Sequence, residues 1–399
     1  MCDGELLPEH HVLGGHNSPA NDERPHEAPD CSQDAYLGAS VPGRKAGILR
    51  GRQALGNSRN CFGINEDRVF GRDKHRELSS LFLLTAFAIP LFYLPALFFD
   101  GTTHFTVVDT WRFWIIHLWV EGFFELFATV MVAALFYLMG MVSRQTATRV
   151  IYLDAVLFLG SGILGTGNHW YWTGQSTVSM ALSATFSAME VVPLILLTLD
   201  ASAFIRLTLG RCDECGQPVS VPYKWTFYFL MAVGVWNFIG AGIFGFLINL
   251  PVVSYYEVGT NLTANHAHGA MMGVFGMLAV AMLVFVLRQM STQENWARTQ
   301  KYVKVSFGGL NIGLGLMLAL SLFPTGVLQL WDVIENGYWH GRSPAFLDQP
   351  IMGYLEWARL PADAIFIVLG VVPLVLATGR TWLAARRQRR AMGQAAGSS

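Results

Sequence analysis

Long apolar runs separated by short polar connections dominate the chain after residue 75. A helix that crosses the hydrocarbon core of a bilayer needs about 20 predominantly apolar residues. The runs predict about eight spans, near residues 78–99, 112–140, 150–172, 178–203, 225–249, 264–287, 305–329 and 361–379. We therefore expect an all-α polytopic membrane protein, with a transmembrane bundle over residues 76–382 and a basic tail over residues 383–399.

The first 75 residues have a different composition. They are rich in Gly, Pro, Asp, Arg and His, and they contain no apolar run long enough to span a bilayer or to build a core. They also lack the basic-then-apolar order of a secretory signal. Polar segments of this kind do not bury enough apolar surface to fold, so we expect residues 1–75 to be disordered.

Lys and Arg residues are concentrated on every second connection. They precede the first predicted span and follow the second, fourth, sixth and eighth, whereas the other connections hold more acidic than basic residues. Because basic loops stay on the cytoplasmic side, we expect both termini to be cytoplasmic.

Composition narrows the function classes. Hydrophobic residues make up 52% of the chain and charged residues only 14%, against about 25% charged residues in a soluble domain. The net charge of −1 removes the case for a nucleic-acid-binding chain. The five cysteines do not form a disulfide framework. The lone Cys212-x-x-Cys215 motif is better interpreted as an unpaired surface motif than as half of a zinc site.

The intramembrane histidines are His117, His169, His266 and His268, and with this orientation they all lie in the outer third of the membrane. A polar side chain in hydrocarbon costs free energy unless a partner satisfies it. Several imidazoles at one depth therefore indicate a metal or heme site.

The spacing of these residues favours iron chemistry. His117, Glu121 and Glu125 follow an i, i+4, i+8 pattern, which places them on one face of a regular helix and offers nitrogen and oxygen ligands suited to iron. His266 and His268 are about 200° apart around their helix, so they cannot bind one ion together and instead indicate two hemes flanking one helix.

A further carboxylate, Glu190, lies near mid-membrane, close to the predicted depth of Glu125. Buried acids of this kind are usually proton relays or ligands. A structural, hydrogen-bonded acid is the alternative interpretation.

Four ordered motifs, HLWVEGFFE (117–125), GTGNHWYW (165–172), FSAMEVVP (186–193) and NHAHGAMMG (265–273), resemble the catalytic chain of bacterial nitric oxide reductases. The likeness is greatest to the quinol-dependent type, within the heme–copper oxidase superfamily, and covers residues from about 76 to 380. It implies a helical bundle around a high-spin heme b and a non-heme iron, with a low-spin heme b supplying electrons. This chain resembles the C-terminal part of the main catalytic bundle of the heme–copper oxidases.

The resemblance also implies ligands. His266 would bind the high-spin heme and His268 the low-spin heme. The non-heme iron would be bound by His117, His169 and the carboxylate of Glu121.

The resemblance also implies roles for three acidic residues. Glu125 and Glu190 match residues that conduct or deliver protons, and Asp363 more weakly matches an acid near a quinol site. The implied reaction reduces two nitric oxide molecules to nitrous oxide and water, with electrons from quinol or another donor, in the bacterial cytoplasmic membrane.

One departure from the family pattern is at Asn168, because the reductases carry two adjacent histidines where this chain has Asn168–His169. An amide oxygen is a weaker donor than imidazole, so the iron would bind less tightly. The change resembles nitric oxide dismutases, which form dinitrogen and dioxygen without external electrons. Reductase is favoured because every other motif is shared.

The second departure concerns the low-spin heme. In the family, its second axial histidine lies on helices that precede the first span found here, and His75 and His104 fit that role poorly. We expect the ligand to come from another chain.

Two other interpretations stay open. A transporter or proton channel would use Glu121, Glu125 and Glu190 but leaves His266 and His268 unexplained. A truncated, non-catalytic remnant is the other. Oxygen reduction is disfavoured, because Glu121 stands where the oxygen-reducing relatives carry a crosslinked tyrosine.

Overall fold

The computed structural model describes residues 76–164, 167, 176–208 and 223–396. Within these ranges the chain is helical, with short turns between helices and no strand. The all-α prediction is therefore confirmed. The segment predicted to be disordered and the Cys212–Cys215 motif both lie outside the described residues.

The first part of the bundle contains six α-helices and one π-helical segment among the described residues. Their bounds are α1 Arg76–Leu91, α2 Phe105–Glu121, π1 Gly122–Phe127, α3 Ala128–Leu138, α4 Arg144–Leu164, α5 Thr177–Met189 and α6 Val192–Thr208. A short 3-10 helix, Leu94–Phe98, follows α1.

The next part contains a second and a third π-helical segment. Its bounds are α7 Lys224–Trp236, π2 Asn237–Phe244, α8 Gly245–Asn249, α9 Pro251–Glu257, α10 Asn261–Ala267, π3 His268–Gly276 and α11 Met277–Met290.

The last part completes the described chain. Its bounds are α12 Gln293–Met317, π4 Leu318–Leu322, α13 Phe323–Asn336, α14 Pro344–Leu347, α15 Pro350–Trp357, α16 Arg359–Ile365, π5 Phe366–Val371 and α17 Val372–Ala396. A 3-10 turn, His340–Arg342, precedes α14. The basic tail predicted from residue 383 thus continues the last helix to residue 396.

Six continuous helical stretches in the described part are long and apolar enough to cross a membrane: Ser80–Phe98, Thr177–Ser202, Lys224–Asn249, Asn261–Met290, Gln293–Asn336 and Pro350–Ala391. The second predicted span corresponds to α2, π1 and α3, of which Glu125–Leu138 forms a shorter apolar helix. The third corresponds to α4, whose predicted outer end lies outside the described residues. The multi-pass architecture is confirmed, and the count of eight stays a prediction.

Glycines allow the central helices to approach closely. A Cβ atom on Gly240 of π2 would lie 2.3 Å from the carbonyl carbon of Gly269 in π3, and one on Gly273 would lie 2.5 Å from Trp236. Small residues at such crossings let backbones pack where the bilayer supplies no hydrophobic drive between helices. This packing fixes π2 against the helix that carries the two histidines predicted to bind heme.

Candidate functional site

His266 is held against the π2 backbone. Its Nδ1 lies 2.8 Å from the carbonyl oxygen of Gly240. A Cβ atom on Gly245 would lie 3.0 Å from His266 Cε1, so the ring passes close to the α8 backbone. The imidazole is therefore oriented both by a hydrogen bond and by close packing.

His268 makes a similar bond on its own helix. Its Nδ1 lies 2.8 Å from the carbonyl oxygen of Ala264. Its Nε2 lies 3.2 Å from a terminal nitrogen of Arg359 on α16. Arg359 also pairs through Nε with Asp363, at 3.2 Å from Oδ2.

These contacts fix the tautomer of both rings. A carbonyl oxygen only accepts, so Nδ1 of His266 and of His268 carries the proton, and Nε2 keeps its lone pair in the neutral ring. A metal-ligating histidine almost always donates its second nitrogen to such a partner. The guanidinium of Arg359 only donates, so in this structure it occupies the lone pair of His268 Nε2, and a heme iron bound by His268 would replace that contact. Both rings have the tautomer of an axial heme ligand, with Nδ1 as the donor to the backbone.

The two rings meet different neighbours. His266 contacts π2 and α8, whereas His268 contacts α16. The helix changes from α to π between them, since α10 ends at Ala267 and π3 begins at His268. π-helical segments are rare in proteins and frequently lie at functional sites.

His117 and the two acids that follow it occupy the end of α2 and the beginning of the next segment. His117 is half-buried on α2, and Glu121 is the last residue of that helix. Glu125 lies in π1, where the turns are wider than in an α-helix. The common face predicted for His117, Glu121 and Glu125 assumed an uninterrupted α-helix, and π1 interrupts that helix before Glu125.

Glu190 lies at a helix break. The residue is buried between α5 and α6, and Pro193, which has no backbone N–H, interrupts the hydrogen-bond ladder just after it. Asn237 Nδ2 donates to the carbonyl oxygen of Val191 at 3.1 Å, which ties this break to the start of π2. The break that contains Glu190 therefore lies beside π2, the segment whose Gly240 carbonyl bonds His266.

Sequence reasoning missed one acid. Asp154 on α4 is 2% exposed, and its Oδ2 has no hydrogen-bond partner among the described residues. The signal was a lone aspartate within the apolar run of the third predicted span, where an ionisable residue is functional by default.

The ligand set predicted for non-heme iron is not assembled within the described residues. Asn168 and His169 lie outside them, as does the side chain of Glu121. Among the residues that are described, no group of three or more His, Cys, Asp or Glu side chains forms a metal site. The iron site stays a prediction.

Comparison with known proteins relates the chain to a protein family and to a curated relative. The family model for cytochrome c and quinol oxidase polypeptide I matches residues 69–365. The chain is also 30% identical over 268 residues to a curated nitric oxide reductase chain from Stutzerimonas stutzeri, a match that covers 65% of this chain and 53% of the relative. The chain spans about half the length of that curated relative.

Proposed function

Because the chain belongs to the cytochrome c and quinol oxidase polypeptide I family, we propose that it is a membrane oxidoreductase that reduces nitric oxide. Two nitric oxide molecules, two electrons and two protons give nitrous oxide and water. The proposal places the chain in the bacterial cytoplasmic membrane with both termini on the cytoplasmic side.

The observation that carries the proposal is the pair of oriented histidines on one helix. His266 and His268 each donate from Nδ1 to a backbone carbonyl and contact different neighbouring helices. This arrangement supports His266 as the ligand of a high-spin heme b and His268 as the ligand of a low-spin heme b. When bound, the hemes and a non-heme iron supply redox and Lewis-acid chemistry and bring two substrate molecules together.

In this proposal, the non-heme iron is bound by His117, Glu121 and His169. The amide of Asn168 is the fourth donor and stands where the reductases carry a histidine. A carboxylate and two imidazoles suit iron, and the amide oxygen is the weakest donor of the set. The protein would thus hold this metal less tightly than a site with three imidazoles.

Proton delivery is assigned to Glu125 and Glu190. Each nitrous oxide formed consumes two protons, and the oxygen that leaves as water must receive them within the bundle. Both acids lie within helices of the described bundle, at a π segment and at a helix break. π-helical segments such as the one that holds Glu125 are rare in proteins and frequently lie at functional sites.

Electrons are proposed to enter beside His268. Arg359 bridges His268 and Asp363, so a quinol or another donor bound near Asp363 would lie on the low-spin heme side of the bundle. The second axial histidine of that heme is proposed to come from a partner chain.

The alternative reaction is nitric oxide dismutation, which the asparagine at position 168 suggested. The similar protein from Stutzerimonas stutzeri is named as part of a nitric oxide reductase, which favours reduction. The same assay distinguishes the two reactions, because only reduction needs added electrons.

The test uses membranes that contain the full chain, co-expressed with the products of the adjacent reading frames. The membranes receive isotopically labelled nitric oxide without oxygen, and the gases are identified by mass spectrometry. Labelled nitrous oxide that appears only with added reductant is the expected result, and the His266→Ala variant should produce none. Labelled dioxygen and dinitrogen without reductant would establish dismutation and overturn the proposal.

A further inference from the structure

The last helix, α17, continues beyond its apolar part as a basic segment. Residues 364–399 contain five arginines and neither Asp, Glu nor Lys. Four of these arginines follow the apolar part closely and are exposed: Arg386, Arg387, Arg389 and Arg390. Within the described part of the chain, none of the four forms an ion pair with a carboxylate. The end of α17 therefore presents a positive charge that the protein itself does not neutralise.

Two of the arginines continue an apolar stripe on the outward side of α17. Thr381 is 0% exposed and marks the side packed against the bundle. At about 100° per residue, Arg386 lies about 140° and Arg390 about 180° around the helix from it. Leu376 and Leu383 are 49% and 47% exposed, and Arg390 follows Leu383 at the same spacing of seven residues. One outward stripe of the helix thus changes from leucine to arginine.

This change places the arginines at the height of lipid headgroups. Arg386 lies about 4.5 Å and Arg390 about 10.5 Å beyond Leu383 along the helix. The headgroup layer of one leaflet is about 5–7.5 Å thick, and a long arginine side chain bends back towards such a layer. The Arg386 guanidinium carbon lies 5.3 Å from the centroid of the Trp382 ring, which is half-exposed. Tryptophan is enriched at this interface.

The neighbouring helix α12 is basic at the same level. The guanidinium carbon of Arg380 on α17 lies 5.7 Å from the ring centroid of Tyr302 on α12, so the two helices meet there. Lys301 and Lys304 are exposed on α12 within one turn of Tyr302. Both helices therefore contribute positive charge to this end of the bundle.

We propose that the outward stripe of α17 binds an anionic phospholipid, with its acyl chains along Leu376 and Leu383 and its phosphate at Arg386 and Arg390. Guanidinium groups donate to phosphate oxygens in a fixed, two-pronged geometry. A cluster of basic residues directly after a membrane helix attracts anionic lipids. The unbroken continuation of exposed leucines into arginines favours a lipid over an acidic protein, which would need the charges alone. The proposal does not depend on the reaction proposed above.

The test measures the lipid affinity of the full chain in an uncharged detergent. Native mass spectrometry gives the Kd of the first bound phosphatidylglycerol, which is anionic, and of the first bound phosphatidylcholine, which has no net charge. One basic residue beside an anionic surface contributes about fivefold in affinity. We expect the wild type to prefer phosphatidylglycerol at least about fivefold. Equal affinities for the two lipids would overturn the proposal.

Substitution of the exposed arginines tests the site. Arg386→Gln should weaken phosphatidylglycerol binding about fivefold and leave phosphatidylcholine binding unchanged. The double variant Arg386→Gln, Arg390→Gln should lose the preference. The matched control is Arg298→Gln, which removes the same charge from an exposed arginine of α12 that pairs with Glu294 at 2.8 Å. An equal loss in the control would mean general attraction to a positive protein and would overturn the site.

A competition experiment distinguishes a lipid site from a site for a free anion. Glycerol phosphate carries the charged group of the headgroup without acyl chains, so it cannot use the leucine stripe. Added in equal amount, it should leave phosphatidylglycerol bound to the wild type. Displacement of the lipid by glycerol phosphate would show that the arginines bind a free anion, and it would overturn the proposed role of the leucines.

Discussion

His266 Nδ1 lies 2.8 Å from the carbonyl oxygen of Gly240, and this bond joins the predicted heme ligand to the π-helical segment of the neighbouring helix. The bond requires the two backbones to be close together. Gly240 meets that requirement because it has no Cβ atom, and the approach of Gly269 from the other helix leaves no room for one. Ligand orientation in this protein is therefore a consequence of glycine packing.

Gly240→Ala should disrupt heme binding without removing any ligand. The new methyl group would lie 2.3 Å from the carbonyl carbon of Gly269, so the helices must separate and the Gly240 carbonyl must move away from His266. Overpacking of this kind costs about 1–3 kcal/mol. We expect heme content per polypeptide, measured by the pyridine hemochrome assay, to fall several-fold.

The matched control is Gly276→Ala. Gly276 ends π3, the segment against which Gly240 packs, and a Cβ atom on Gly276 would meet nothing within 4 Å. This variant should keep wild-type heme content. Equal losses in the two variants would mean that general helix flexibility, rather than the crossing at Gly240, controls heme binding.

His266 and His268 should affect different hemes. Their rings contact different helices, so His266→Ala should remove the high-spin heme signal and leave the low-spin signal, and His268→Ala should do the reverse. Optical and electron paramagnetic resonance spectra of the oxidised membranes separate the two spin states. Loss of both signals in each variant would show that the two hemes bind as one unit.

Much of the helical architecture could be predicted from the sequence. Apolar runs of sufficient length predicted the spans, and the i, i+2 separation of His266 and His268 predicted that their rings face different neighbours. Pro193 marks the break beside Glu190, because proline cannot donate to the helix ladder.

The π-helical segments could not be predicted. Nothing in a 3.6-residue pattern distinguishes Gly122–Phe127 or His268–Gly276 from an α-helix, because the extra residue in each turn is set by contacts with other helices. The hydrogen-bond partner of His266 could not be predicted either, since Gly240 is 26 residues away along the chain. Such a pairing depends on how the helices cross.

A buried polar cluster surrounds Glu257, in the connection between the Lys224–Asn249 and Asn261–Met290 spans. Glu257 is 3% exposed and accepts a hydrogen bond from the Thr263 hydroxyl. Arg342 donates to the carbonyl oxygen of the adjacent Val258 and stacks on Tyr338, with 3.8 Å between the guanidinium carbon and the ring centroid. Burial raises the pKa of Glu257 to about 7, although Thr263 and Arg342 act in the opposite direction.

This shift makes stability depend on pH. The unfolded pKa of a glutamate is 4.5, so between pH 4.5 and about 7 the folded state binds more protons than the unfolded state. The contribution to the free energy of unfolding is present in full below 4.5 and is lost as pH rises through the folded value of about 7. We expect Glu257→Gln to remove this dependence. The wild type should lose stability as pH rises from 4.5 to about 7, whereas the variant should not.

The measurement is the apparent Tm of the detergent-solubilised protein as a function of pH. Glu335→Gln, which changes an exposed acid on α13, is the control and should leave the wild-type profile unchanged. A Glu257→Gln profile parallel to that of the wild type would mean that Glu257 is not the group that titrates.

Asp363 should affect electron delivery from quinol more than the reaction at the predicted iron site. Its carboxylate pairs with Arg359 Nε at 3.2 Å, and a terminal nitrogen of the same guanidinium lies 3.2 Å from His268 Nε2. Asp363→Asn removes the charge that fixes Arg359 while keeping the shape of the side chain. We expect nitric oxide consumption driven by quinol to fall about tenfold, the size of effect expected from losing a charged hydrogen bond worth about 1.5–3 kcal/mol.

Turnover driven by a small soluble reductant should be retained in Asp363→Asn, because such a reductant needs no quinol site. Asp348→Asn, which changes an exposed acid before α15, serves as the control and should not alter either rate. Arg359→Lys should resemble Asp363→Asn, since a lysine ammonium presents a single point charge where guanidinium donates in two directions. Equal losses with both electron donors would place the role of Asp363 in heme binding or folding instead, and the heme content of the variant would then distinguish these two causes.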